Sequence, residues 1–337
     1  MTPTLRLRTA AAAVAAIALV AAGTAALLAQ PELHLIPWAY GIPPVLAPGQ
    51  KPAELPFQRP EGELTLPGSP AKLTRAALTD MTNAADWWPE DHPPMPPIVK
   101  NGRKPGVSAC GVCHYPNGKG KPDNSAVAGL PEAYFIQQML DYRDGTRKSA
   151  NPKKGNAVQM GQFAKAMTDD EIREAARYFG SMKYTPWVKV IEAAKVPAHI
   201  YFGQLWVKVG TESTEALGNQ ILEGPEDTAR FEGYRDPRSG FVAYVPPGSI
   251  KKGRELATTG GKGRTVACTP CHGADLRGIG PVPAIAGRST SYLGRQLNDF
   301  RTGARHGAWS GLMKAATEKL TDEDILALSA YAASLAP

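Results

Sequence analysis

The sequence predicts a mainly α protein in which one helical domain is used twice. A small β-containing insertion separates the copies, and a proline-rich arm precedes them. Three observations carry this reading. The motif Cys-x-x-Cys-His occurs twice, at Cys110–His114 and Cys268–His272. The run Tyr134–Arg143 recurs as Tyr292–Arg301 at the same offset of 158 residues that separates the two motifs. Apolar positions such as Tyr134, Phe135, Met139 and Tyr142 fall at the spacing of a buried helix face.

The elements follow in order. Arg6 and Arg8 precede an uncharged apolar run at residues 10–29. That length can just span a bilayer as a helix. It also reads as an export signal over residues 1–30, with Gly23-Thr24-Ala25 as a cleavage site. Either way the arginines stay on the inner side. The rest then lies on the periplasmic side, anchored to the inner membrane or soluble after cleavage. Much of the chain's complement of 31 prolines lies between Pro31 and Pro97, which marks residues 31–97 as an extended arm. Within it Ser69-Pro70 predicts the start of a helix over 71–81. Trp87-Trp88 is expected to pack the arm onto the first domain.

The first domain is expected at residues 98–183. Only a brief helix fits before Cys110. A turn at Pro116-Asn117-Gly118 follows, then a helix opened by Pro131, a basic loop and Met160. Thr168-Asp169-Asp170-Glu171 is a capping box at the head of a last helix with Ile172, Ala175, Ala176 and Phe179 inward. The second domain, 248–337, repeats this order. Ser249 caps a helix through Leu256 and Ala257, Gly145 and Arg147 recur as Gly303 and Arg305, and Met313 precedes Thr321-Asp322-Glu323-Asp324. Only the loop before the methionine changes length, by five residues. Between the copies, 184–247 holds strand candidates in His199–Val209 and Phe241–Val245, and a turn at Arg235–Gly240. It reads as a structural bridge.

Cys-x-x-Cys-His is the attachment pattern of c-type haem. Two thiols add across the two vinyl groups, and the His reaches the iron. The expectation is two covalently bound haem c groups on Cys110 and Cys113 and on Cys268 and Cys271, with His114 and His272 as iron ligands. All four cysteines are used. A zinc cage of four thiolates is the rival reading. The two knuckles lie some 155 residues apart and each is followed at once by His, which disfavours it. Met160 stands seven residues before Met167, and Met313 seven before Leu320, at the heads of equivalent capped helices. That repetition makes Met160 and Met313 the candidate sixth ligands. Met139, Met167 and Met182 read as core, and His306 competes with Met313.

These residues resemble class I cytochrome c domains, and the pair resembles the two-haem cytochrome c4 type. The resemblance covers about 98–183 and 248–337. Gly253 is similar to the glycine at which the first and last helices of that fold cross. Pro283 is similar to the proline whose carbonyl accepts from the proximal His, whereas Ser125 stands at that place in the first copy. Filled axial positions imply one-electron transfer with no catalytic residues. The chain would carry electrons between a periplasmic or membrane donor and an acceptor such as a terminal oxidase, or serve a dehydrogenase as its cytochrome subunit. A haem enzyme such as a di-haem peroxidase is the alternative, but it needs an openable site and distal acid/base groups that no motif supplies. The net charge of +7 with no visible nucleic-acid module points to redox protein partners with an acidic docking surface. The facing basic set is Lys119, Lys121, Lys148, Lys153, Lys154, Lys251, Lys252, Lys262, Arg264, Arg301 and Arg305.

Overall fold

The computed structural model describes residues 33–42, 45–51, 54–55, 57–202 and 205–337. The apolar run at 10–29 lies outside the described residues. Among the described residues no helix is long and apolar enough to cross a membrane.

The arm begins with a one-turn helix, α1 (Pro37–Tyr40), and continues to a hairpin of β1 (Glu63–Thr65) and β2 (Lys72–Thr74). The helix expected over 71–81 is shorter: α2 spans Arg75–Thr79, capped by Thr74, whose hydroxyl accepts from the Ala77 amide at 3.2 Å. Residues 72–74 are strand because they pair with Glu63–Thr65. Ser69 caps nothing there and donates to the Trp87 carbonyl at 2.6 Å. Trp87 and Trp88 are buried with Leu64, Leu66 and Leu78. Their indole N–H groups donate to the Tyr234 carbonyl at 2.8 Å and to Asp236 Oδ1 at 2.7 Å. The tryptophans therefore tie the arm to the insertion, not to the first domain as expected. The first domain is met instead by Met81, Ala84 and Met95, which pack on Ala109 and Val112.

In the first domain the leading helix shrinks to α3 (Pro97–Lys100). Then come α4 (Cys110–His114), α5 (Glu132–Arg143), α6 (Gly155–Ala166) and α7 (Asp169–Gly180). The reciprocal cap at Thr168 and Glu171 is formed. The core gathers Val99, Phe135, Ile172, Ala176 and Phe179, and Met139, Met167 and Met182 lie in it.

The insertion is richer in strand than the sequence showed. β3 (Val188–Glu192), β7 (Phe241–Val245) and β6 (Leu222–Pro225) form one sheet in the order β3-β7-β6. β3 runs parallel to β7, with Val188 opposite Phe241, and β6 runs antiparallel to it. β4 (Lys195–Phe202) and β5 (Leu205–Ala216) make a separate antiparallel hairpin.

The second domain has α8 (Ser249–Gly263), α9 (Thr269–His272), α10 (Thr290–Arg301), α11 (Ser310–Thr317) and α12 (Asp322–Ser334). Ser249 lies inside α8, and Gly248 holds the cap position. α8 crosses α12 at Gly253, where a Cβ would sit 2.0 Å from the Ala327 carbonyl oxygen and 2.6 Å from the Tyr331 Cβ. Thr321 and Asp324 form the same reciprocal cap as in the first copy.

The two domains meet across a local two-fold. Arg147 and Arg305 form an antiparallel bridge. The Lys148 amide donates to the Ala304 carbonyl at 2.9 Å, and the His306 amide to Thr146 at 2.8 Å. Arg147 reaches Gln138 at 3.1 Å and Gln296 at 3.3 Å, while Arg305 reaches the same two at 2.6 and 2.8 Å. Each guanidinium lies over a ring of its own copy, Tyr142 at 4.5 Å and Phe300 at 4.0 Å. Every pair keeps the 158-residue offset, so the seam is a self-complementary contact of one repeated element.

Candidate functional site

Each motif forms a single helical turn. In α4, Cys110 and Cys113 stand at i and i+3, which puts both thiols on one face. In α9, Pro270 sits in the first turn, where its missing N–H has no helical partner to lose.

The histidines are held alike. His114 Nδ1–H donates to the Ser125 carbonyl at 2.8 Å, and His272 Nδ1–H to the Pro283 carbonyl at 2.9 Å. A carbonyl only accepts, so Nδ1 carries the proton and Nε2 keeps its lone pair for a metal. Burial holds both imidazoles below their usual pKa, which favours the neutral, ligating form. The loops that deliver these carbonyls are also alike. Gly120 donates to the His114 carbonyl at 2.9 Å and Gly278 to His272 at 2.7 Å. Lys121 bridges Asn124 as Ile279 bridges Val282. Ser125 replaces the proline without loss because the acceptor is backbone.

A cleft of about 1060 Å³, open to solvent, brings Cys110, Cys113, His114 and Met160 together with Phe135, Met139 and Phe163. Burial pushes the Cys110 thiol up to about 12 and Cys268 up to about 11. Such sites suit a thioether, which has no charge to bury. In the second domain His272 is buried, Cys268 half-buried and Cys271 exposed. Met313 stands on α11, with its carbonyl accepting from Thr317 at 2.8 Å. Large apolar side chains are exposed beside both groups: Val266 and Ile279 by the motif, Trp309 and the 81% exposed Leu312 by Met313. A planar apolar ring would cover such surface, and the donor set gathered in the first cleft fits haem. His306 is exposed and turned to the Gly303 carbonyl at 3.0 Å, in the seam.

The continuous basic face does not form. Arg305 and Lys154 are buried. Arg264 pairs with Asp324 at 2.8 Å, Arg301 with Asp322 at 2.7 Å, and Lys121 with Asp123 at 3.3 Å. Lys119 lies over the Trp187 ring at 5.1 Å. Sequence alone showed these charges and not the partners that fold back onto them.

Two further groups shape the first site. Arg235, from the insertion, donates to the Val112 carbonyl inside α4 at 2.6 Å. The seam residues Tyr292, Gln296 and Asp299 of the second domain wall the first cleft. The repeat offset was the signal for the seam, since Arg147 and Arg305 recur without any part in haem attachment. Arg235 left no comparable signal.

The family model described as cytochrome c matches residues 99–183 and 250–336. Cytochrome c4 of Azotobacter vinelandii is 27% identical over 230 residues, covering 67% of this chain and 83% of its own. A thiosulfate dehydrogenase electron acceptor of Thiomonas intermedia (strain K12) is 25% identical over 235 residues, covering 68% and 80%. The crystal structure of reduced recombinant cytochrome c4 from Pseudomonas stutzeri aligns with TM-score 0.43 and 24% identity, over 68% of this chain and 94% of that one.

Proposed function

The chain belongs to the cytochrome c family, and on that premise we propose that His114 with Met160 and His272 with Met313 are its two axial pairs. It is a di-haem, cytochrome c4-like electron-transfer protein with two covalently bound haem c groups, and not an enzyme. Haem c, when bound, supplies a one-electron couple between iron(III) and iron(II).

The protein's residues set the terms of that couple. The Ser125 and Pro283 carbonyls fix each imidazole and leave Nε2 to ligate. Met160 and Met313 would be the second protein ligand to each iron, which would raise the potential and keep peroxide and oxygen off. The observation that carries this reading is the single cleft shared by Cys110, Cys113, His114 and Met160.

The chain takes electrons from a donor on the periplasmic side and passes them to an acceptor such as a terminal oxidase. The thiosulfate dehydrogenase electron acceptors among its relatives support a dehydrogenase as donor. The apolar run at 10–29 either anchors it to the inner membrane or is removed on export. Residues 98–183 and 248–337 act as the two redox domains, and 184–247 as the brace between them. Docking of an acidic partner falls to the lysines that are exposed, Lys148 and Lys153 by the first cleft and Lys251 and Lys262 by the second domain. Electron-transfer rates to the partner should then fall as salt rises. Co-purification from membranes in mild detergent tests anchor and partner together. Redox titration should give two one-electron steps, and fast peroxide turnover would contradict the carrier role.

A further inference from the structure

A smaller pocket, open to solvent, lies where four parts of the chain meet. Its walls include Trp38 of α1, Asp123 and Lys154 of the first domain, Glu223 of β6 and Arg295 of α10. Asp123, Lys154 and Arg295 also wall the first haem cleft, so they stand between the two spaces. All four charged groups are buried, Lys154 and Arg295 to 6% exposure and Glu223 to 4%.

The charged groups in its otherwise largely apolar wall are incompletely satisfied. Glu223 Oε2 accepts from Ser289 at 2.8 Å, Thr290 at 3.1 Å and the Ser291 amide at 2.9 Å, at the head of the twelve-residue helix α10. Glu223 Oε1 and Asp123 Oδ1 have no hydrogen-bond partner among the described residues. Buried carboxylate oxygens need donors, which solvent entering the pocket would supply.

Lys154 is the member of this cluster whose charge its surroundings oppose. Arg295 is permanently cationic and donates to the Ala39 carbonyl at 2.7 Å and to the Pro122 carbonyl. Asp123 is paired through Oδ2 with Lys121 at 3.3 Å. Glu223 stands at the head of α10 with its Oε2 taken up by the Ser289, Thr290 and Ser291 donors. Lys154 has Asp123 as an attracting charge, and Arg295 and Lys121 as repelling ones. Arg147, Lys148 and Asp299 face the same cleft, and Tyr40 of α1 is neutral. Burial, then Arg295, brings Lys154 down to about 8.

We propose that Lys154 is a redox-linked proton site: an electron arriving at the first haem is matched by a proton bound at Lys154 Nζ. The proposal rests on the His114/Met160 reading of that domain. The electron comes from the donor protein. The proton comes from solvent through the open cleft, forming one N–H bond on the neutral amine, and leaves again on oxidation. An added electron lowers the local charge by one and favours the ammonium form. By linkage the neutral amine lowers the haem potential.

The test is a spectroelectrochemical titration of the full holoprotein from about pH 6 to about pH 10, following each haem. The first haem should hold a flat potential at low pH. Above about 8 its reduced-to-oxidised ratio should fall by up to tenfold per pH unit, about 59 mV for one electron. The second haem should stay flat. Lys154→Met should flatten the first haem at its lower value, and Lys154→Arg should flatten it at its higher one. A flat wild-type first haem with a normal low-spin spectrum overturns the proposal, as does a slope that survives both variants. The wild-type curve decides even if a variant fails to fold. A high-spin first haem would instead overturn the His/Met reading itself.

Discussion

The first and second domains solve one problem by different means. Both must back a Cys-x-x-Cys-His turn and hold its histidine. The second does so within itself, with α8, helical until its backbone turns left-handed at Gly260, crossing α12 at Gly253. The first has only the four-residue α3 in that place. Its motif helix is backed from outside, by Ala84 and Met95 of the arm and Arg235 of the insertion. Gly111 shows how close that backing is, since a Cβ there would meet the Ala84 Cβ at 2.9 Å. The lesson is that the haem-holding loop is copied more faithfully than the scaffold behind it. The arm and insertion are parts of the first domain's support, not spacers.

Five substitutions break or sharpen that contrast, from the largest effect to the smallest. Trp87→Ala removes a buried ring and its hydrogen bond to the Tyr234 carbonyl. It should cost about 3–5 kcal/mol and loosen the first domain while the second unfolds as before, read by urea denaturation followed at each haem. Gly253→Ala forces a Cβ into the Ala327 carbonyl. It should cost about 1–3 kcal/mol and act on the second domain alone. Equal effects of these two changes on both domains would mean that the domains do not rely on separate scaffolds.

The caps should respond alike. Thr168→Ala and Thr321→Ala each remove one side of a reciprocal cap, at about 1 kcal/mol apiece. The Arg103 hydrogen bond holds the Glu171 carboxyl below its ordinary range. Burial opposes ionisation of Asp324, but its Arg264 and Thr321 hydrogen bonds and the Arg264 charge together outweigh that and hold it low as well. Depressed carboxylates lend stability that is full above the unfolded pKa of about 4. It is lost as pH falls through the lower folded value, so acid melts should weaken both last helices together. Smallest of all is Ser125→Ala, which leaves the accepting carbonyl in place. The first haem's potential should be almost unmoved, measured by redox titration.

What was legible in the sequence follows from which forces are local. The motifs, both capping boxes and the repeated offset are patterns in neighbouring residues, and they fold as read. The carbonyl partners of His114 and His272 fall at one offset even though the residue type changes. Long-range pairing was not legible. Leu222–Pro225 has no strand-like composition and becomes β6 only because β7 lies beside it. Trp87 and Trp88 are anchored by acceptors nearly 150 residues away. The charge on Arg301, Arg305 and Lys154 is visible in sequence, but its exposure is decided by the seam and by α12, which sequence spacing does not locate.

The central claim is that both irons are held by His and Met, which makes the chain a carrier of single electrons. The visible spectrum of the oxidised protein tests it most directly, through the Met-sulfur-to-iron charge-transfer band. Both haems should be low-spin, and Met160→Ala and Met313→Ala should each remove about half of the band, in keeping with two equivalent sites. A high-spin haem in the resting wild-type protein, or a band untouched by either substitution, would contradict the account.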